Sequence, residues 1–400
     1  MKSSFARNAV VLGVMCAVGP FAIDMYLPAL PTIAADLGTT TAATQMTLTS
    51  FFVAFGVSQL IYGPVADMVG RKPPLYFGLL VFLAASIGCA LAPSVEWLIF
   101  FRFVQGIGAA AVMVIPRAII RDLHTGTEAT RLMALVMLVI SISPILAPLA
   151  GSGLIVPFGW RSVFVAVAVA SLASLFMLFT YLPETRPPEE RIRASFASVA
   201  GGFGELLVHS RFLGLTFIGG FGMASFFAFL ASSSFVYIDH FGLTPVEYSL
   251  AFSVNAIGFF GASQFAAKLG ERFGIGRMVT VAVTCFAAVT TLLFILTAIG
   301  FESLVLLIAF LFVANAFLGV VIPSTMVLSL EEHGPIAGMA SALGGTLQML
   351  AGGFVIVLVS YFFDGTTLPM VGAIALCGLV ALLLSWMTLG VPRMAAQPAE

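Results

Sequence analysis

The chain alternates between long apolar runs and short clusters of glycine, proline and charge. Runs such as Leu75–Leu91, Ser162–Leu182 and Leu304–Leu318 carry no charged residue. About 20 consecutive apolar residues, wound as a helix, cross the hydrocarbon core of a bilayer. Marking these runs against the turn and charge clusters predicts twelve helices. The first six fall at 8–30, 43–66, 73–92, 95–121, 130–156 and 161–183. The second six fall at 211–238, 245–270, 276–299, 302–330, 335–363 and 368–389. Helix is the expected state because lipid offers no partner to unpaired backbone groups. A barrel would need short alternating segments, and these are missing.

One long polar stretch interrupts the pattern. It covers 184–210 and holds Glu184, Arg186, Pro187, Pro188, Glu189, Glu190, Arg191 and Arg193. It leaves apolar blocks at 1–183 and 211–390 and a tail at 391–400. The expectation is an all-α polytopic membrane protein: two lobes of six transmembrane helices, a cytoplasmic linker between them and a cytoplasmic tail. Two-lobed transporters with repeated halves have this layout.

Composition agrees. Of 400 residues, 60% are hydrophobic and 9% charged, against about 25% charged in a soluble domain. A net charge of −1 gives no reason to expect a nucleic-acid partner. The lipid bilayer is the expected environment, and a monomer the expected state. Cys16, Cys89, Cys285 and Cys377 all lie in apolar runs without a C-x-x-C pair and read as buried free thiols. Lys2 and Arg7 precede the apolar stretch from Ala9 to Ile23, but no small-residue cleavage site follows, so this is read as an uncleaved first helix.

Basic residues set the orientation. With the N-terminus inside, Lys2, Arg7, Arg71, Lys72, Arg121, Arg131, Arg186, Arg191, Arg193, Arg211, Lys268, Arg272, Arg277 and Arg393 are cytoplasmic. Arg161 alone sits in a clearly periplasmic loop. Both termini are therefore expected in the cytoplasm, in a bacterial inner membrane.

The expected chemistry is not enzymatic. No G-x-x-x-x-G-K-[ST] loop is present for ATP, and no H-E-x-x-H or Cys/His set for a metal. His124, His209, His240 and His333 are scattered at helix ends and read as surface residues. No cofactor is expected, and a gradient is expected to supply the energy. A weak repeat supports two related halves. Gly63…Asp67…Gly70-Arg71-Lys72 follows the second helix, and Glu271…Gly274…Arg277 follows the eighth.

The first of these stretches resembles the signature loop of the major facilitator superfamily: a Gly, then Asp, then Gly-Arg-Arg/Lys after the second helix. Three further stretches narrow the resemblance. They are Asp24-Met25-Tyr26-Leu27-Pro28, the segment from Arg102 through Gln105, Gly106 and Gly108 to Arg117, Arg121 and Asp122, and Pro144…Pro148…Gly151-Ser152-Gly153. Together they are similar to the twelve-helix drug:proton antiporters, and within these to the bicyclomycin-resistance and chloramphenicol/florfenicol exporters. Ala147 and Ser152 stand where that family's pattern has glycine. The resemblance implies the major facilitator fold and alternating access. It also implies a cavity lined by helices 1 and 4, export of small amphipathic drugs, and protons as the coupling ion. Two other readings remain open: proton-coupled export of a metabolite such as an amino acid or dipeptide, and a non-transporting receptor or assembly factor.

Asp24 is the one carboxylate well inside an apolar run, where a charge is costly and usually functional. Apolar surroundings favour the neutral form of a carboxyl, the condition for loading and releasing a proton. By helix rise Asp24 lies about 22 Å up a core of about 30 Å, and Arg102 about 10 Å down from the outer face. The two are therefore expected to meet, as a proton-coupling and substrate-binding pair or as a plain structural ion pair. Asp67, Arg71 and Asp122, with Gly63, Gly70, Arg117 and Arg121, are expected to form a conformational switch at the cytoplasmic edge. Pro144 and Pro148 bend their helix, and suit a moving lobe interface or plain helix packing. Tyr26, Gln59, Asn255, Asn315 and Gln348 are candidate substrate contacts, because amides facing lipid are costly. Tyr26 is two residues from Asp24 and should point elsewhere on the helix.

Overall fold

The computed structural model describes residues 2–191 and 196–390. Arg193, Arg393 and the tail at 391–400 lie outside the described residues. Every regular element within them is helical. The first half comprises α1 (Lys2–Asp24), α2 (Leu30–Asp36), α3 (Thr41–Val69), α4 (Lys72–Leu91), α5 (Val95–Leu123), α6 (Gly126–Phe158) and α7 (Arg161–Tyr181). A linker helix, α8 (Phe196–Val208), leads to α9 (Ser210–Ser234), α10 (Pro245–Ser263) and α11 (Ala266–Phe273). The chain ends with α12 (Ile275–Ala298), α13 (Leu304–Glu331), α14 (Ala337–Phe362) and α15 (Leu368–Leu389).

Eleven of the described helices are long and apolar enough to cross a bilayer, and α10 with α11 makes a twelfth span bent by 41°. The first span runs from Phe5 to Asp36, six residues past its expected end at 30. It is broken at Met25–Tyr26 and restarts through a 3-10 turn, Leu27–Ala29. Pro28 explains the break. It supplies no N–H to the preceding turn and restricts the residue before it. The seventh span closes in a π-helical turn, Phe235–His240.

The 184–210 stretch differs from a plain polar linker. Its second half is α8, and Leu206 is buried there with Phe212, Ala340 and Leu343 of the second lobe. Polar residues at its start hid an apolar segment at its end. His333 also departs from expectation. It is buried, with Nδ1 3.1 Å from the Ser329 carbonyl and its ring edge-on to His209 at 4.8 Å.

Helices α1–α7 pack among themselves, as do α9–α15, and the two lobes meet along α3 against α14 and α6 against α10. Hydrogen bonds cross between them. Gln45 Nε2 donates to the Ala231 carbonyl (3.0 Å) and to Ser232 Oγ (3.3 Å). Thr346 Oγ1 donates to the Gly56 carbonyl at 2.6 Å. Ser249 Oγ donates to the Pro148 carbonyl at 2.9 Å, and Ser253 Oγ to that of Ile145 at 2.8 Å. Phe52 and Phe227 stack across the same seam at 4.1 Å. Call the face bearing Gly70–Lys72 and the linker the basic face, and the opposite one the distal face. The bonds of Gln45, Ser249 and Ser253 lie in the distal half of the membrane, and that of Thr346 lies near its middle.

Candidate functional site

The break in the first span organises the site. Asp24 is the last residue of α1 and is 5% exposed, yet its carboxylate has no hydrogen bond or ion pair among the described residues. The expected Asp24–Arg102 pair does not form. Arg102, fully buried, donates from Nη1 to the Ala22 carbonyl (3.0 Å) and to Gln105 Oε1 (2.6 Å). Carbonyls in the last turn of a helix lack intrahelical donors, and a cation satisfies them well. The early end of α1 therefore creates an acceptor that takes the arginine away from the acid. Depth along two helices cannot reveal this, because it ignores backbone acceptors.

Aromatic rings complete the Arg102 cage. Its guanidinium lies 4.5 Å from the Phe51 ring centre and 4.8 Å from that of Tyr26, within cation–π range. Gln105 passes the network on to Ser86 Oγ at 2.8 Å. Tyr26 does point away from Asp24. Its hydroxyl lies 2.8 Å from Thr47 Oγ1, whose own proton goes to the Thr44 carbonyl, so Tyr26 is the donor. Both Tyr26 and Arg102 are fully buried, so a substrate reaches neither unless the helices move.

The second lobe presents neutral polar groups at the same level. Asn255 and Asn315 are buried together, with Asn315 Nδ2 3.5 Å from Asn255 Oδ1. Tyr248 pairs with Ser233 at 3.0 Å and lies within electrostatic reach of Asp24. Gly151 holds the break of the first span against α6, since a Cβ there would collide with the Met25 carbonyl. Ser249, one residue from Tyr248, binds the carbonyl of Pro148, three residues from Gly151. The break, α6 and α10 thus converge beside Asp24. Gln59 and Gln348 are half-buried on helix seams, Gln59 beside Gly345 and Gln348 beside Gly219 and Gly220.

The switch candidates separate into those the fold joins and those it does not. Arg71 is buried and donates to Asp67 (2.7 Å) and, through Nε, to Asp122 (2.7 Å). Arg186 also donates to Asp67 at 2.7 Å, and Thr185 Oγ1 to Asp122 at 3.0 Å. Gly70 has φ +98°, and Glu184 lies where its Cβ would be. The Glu184 carboxylate accepts the backbone N–H groups of Arg71 (2.8 Å) and Lys72 (3.0 Å). Partial burial would raise this carboxyl, but the backbone donors of Arg71, Lys72, Arg186 and Thr185 outweigh it and hold it below the usual carboxylate range. Gly63 and Arg121 line a 170 Å³ cavity with Asp67, Arg71 and Asp122. Arg117 stands apart, beside Cys16 of α1. The partners named here belong to the first lobe or the linker's start.

The matching loop of the second half repeats the backbone and not the bonds. Gly274 has φ +81°, but Glu271 and Arg272 are exposed. Glu184, Arg186, Ser249, Ser253 and Tyr248 were not singled out as site residues. The first two sit in a run of linker charges. The others are ordinary helix residues, whose role depends on which lobe they face.

Comparison with known proteins places this geometry. The family model described as Major Facilitator Superfamily matches residues 12–357. The MFS-type transporter YdgK of Bacillus subtilis is 34% identical over 92% of this chain and 91% of its own. The bicyclomycin resistance protein homolog of Haemophilus influenzae is 29% identical, covering 96% of each chain. Multidrug resistance protein D of Escherichia coli is 30% identical over 86% of each. Among solved structures, a bacterial homolog of the human lysosomal transporter Spinster has a TM-score of 0.77 at 16% identity, covering 98% of each chain. The D-xylose-proton symporter reaches 0.73 at 17% identity, covering 97% of this chain and 98% of that one. The chain belongs to the major facilitator superfamily, with antibiotic and multidrug resistance proteins among its relatives, and is a membrane transporter and not an enzyme.

Proposed function

We propose that this protein is a proton-coupled antiporter that exports small amphipathic molecules across a bacterial inner membrane by alternating access. Asp24 carries this reading. A carboxyl buried without a partner, at the break of a span and facing the other lobe, is placed to exchange a proton between water and the membrane interior. The names of the relatives support drug-like substrates. Arg71, Lys72, Arg121, Arg186 and Arg211 share the basic face, which supports cytoplasmic termini. In that orientation the bonds of Gln45, Ser249 and Ser253 tie the lobes together on the periplasmic side.

In this cycle Asp24 takes a proton when open to the periplasm and releases it to the cytoplasm, while substrate moves the other way. Asp67, Arg71 and Asp122, extended by Glu184 and Arg186, govern the change of access, with the linker as their lever. The test is Asp24→Asn in inverted vesicles. The variant should insert and fold normally but lose drug-driven proton release. Full proton flux from Asp24→Asn would sink the assignment.

A further inference from the structure

Among the described residues, only Asp24, Arg102 and Arg117 carry charge six or more residues inside a membrane span. All three belong to the first lobe. Arg102 donates through Nη1 to Ala22 and Gln105 and lies in a cage of rings, with its Nε and Nη2 buried and unbonded. Arg117 makes no hydrogen bond at all among the described residues. Its buried Nε has no hydrogen-bond partner, and the ionisable groups near it are the Cys16 thiol and another cation, Arg121. An arginine that merely snorkels along its helix places its head in water. Arg117 instead keeps part of its head buried and part accessible, at half-burial overall. A buried cation without a counter-charge is costly and calls for an anion.

The balance of charge in the interior points the same way. Two arginines face one carboxylate, so the interior stays net positive whether Asp24 is protonated or ionised. The second lobe adds amides and hydroxyls, Asn255, Asn315, Tyr237 and Tyr248, and no deep charge among its described residues. A lipophilic cation would have to compete with the proton for Asp24 while passing an unpaired arginine. A molecule with an acidic group, an apolar body and a hydrogen-bonding end meets a complement to each.

Resting on the transport reading above, we propose that Arg117 docks an anionic group of the transported molecule, so that the preferred substrates are carboxylate-bearing amphipaths and not lipophilic cations. Helix α5 then carries a structural arginine toward its start and a substrate-binding one toward its end.

The experiment is equilibrium binding to the full-length protein in nanodiscs, with three probes sharing one ring system: naphthoate, naphthylmethanol and naphthylmethylammonium. Wild type should bind naphthoate about tenfold more tightly than the alcohol, the scale of one charge-assisted hydrogen bond. Arg117→Gln should erase that margin and leave alcohol binding unchanged, which also reports that the variant is folded. Arg117→Lys should keep most of it. Tighter wild-type binding of the ammonium probe, or of the alcohol, overturns the proposal without any variant. A naphthoate preference that survives Arg117→Gln overturns it as well. No gradient is present, so failure here leaves proton coupling standing, and failure of the Asp24 test leaves the anion preference standing.

Discussion

Removing the two serine hydroxyls that tie α10 to α6 should open the distal side. Ser249 and Ser253 are buried, one helical turn apart, and each reaches a carbonyl of the other lobe at 2.9 and 2.8 Å. Each hydroxyl has a single proton and also an acceptor on its own helix, Pro245 or Ser249 at 2.8 Å. The bond across the lobes is therefore shared, and its loss costs less than that of an exclusive one. The carbonyls of Ile145 and Pro148 lie inside α6 and keep their intrahelical donors, so truncation strands no acceptor. With about 0.5–1.5 kcal/mol per net hydrogen bond, the Ser249→Ala, Ser253→Ala double variant should lose about 1–2 kcal/mol from this state. Access states that differ by a few kcal/mol then shift in population about 5–30-fold. Spin labels at Ala35 and Val246, both exposed on the distal face, report the opening by double electron–electron resonance. A longer-distance population should rise in the double variant. Ser360→Ala, which removes a buried hydroxyl bonded only to Ile356 of its own helix, should leave the distances unchanged. If the double variant matches wild type, or Ser360→Ala shifts as far, these hydroxyls do not hold the lobes together.

Two further predictions concern the basic face. Asp67→Asn removes the charge from both guanidinium contacts, each ion pair worth about 0–1 kcal/mol at a partly wet site, and should slow turnover several-fold while leaving equilibrium drug affinity within about twofold; weakened binding at unchanged turnover would place the cluster in the binding site. Glu184 has a lowered folded value, so its anchoring is complete above the ordinary carboxylate value of about 4.3 and is lost as pH falls through the folded one. Glu184→Gln should therefore lower thermal stability at neutral pH and converge with wild type in acid, and a constant deficit down to low pH would contradict this.

The long apolar runs, the basic bias of alternate loops and the lone Asp24 were legible in the chain because each follows from cost. Twenty apolar residues have one low-energy place, and a carboxyl among them is costly. The loop glycines at 70 and 274 were likewise readable, since a positive φ selects glycine wherever it occurs. Partners were not readable. Asp24 and Arg102 match in depth and opposite charge, yet the arginine goes to a carbonyl freed by the broken helix and to rings on α3 and the first span. Glu184 and Arg186 looked like any linker charges until the linker's start folded back onto Gly70. Ser249 and Ser253 carry no sequence signal, because a serine on an apolar helix looks the same whether it faces its own lobe or the other. The sequence by itself determined the spans and the one costly acid, both local consequences of transfer from water to lipid. Only the tertiary structure decided which polar groups satisfy one another, because hydrogen bonds and ion pairs are settled over a few ångströms by the helices that come to lie side by side.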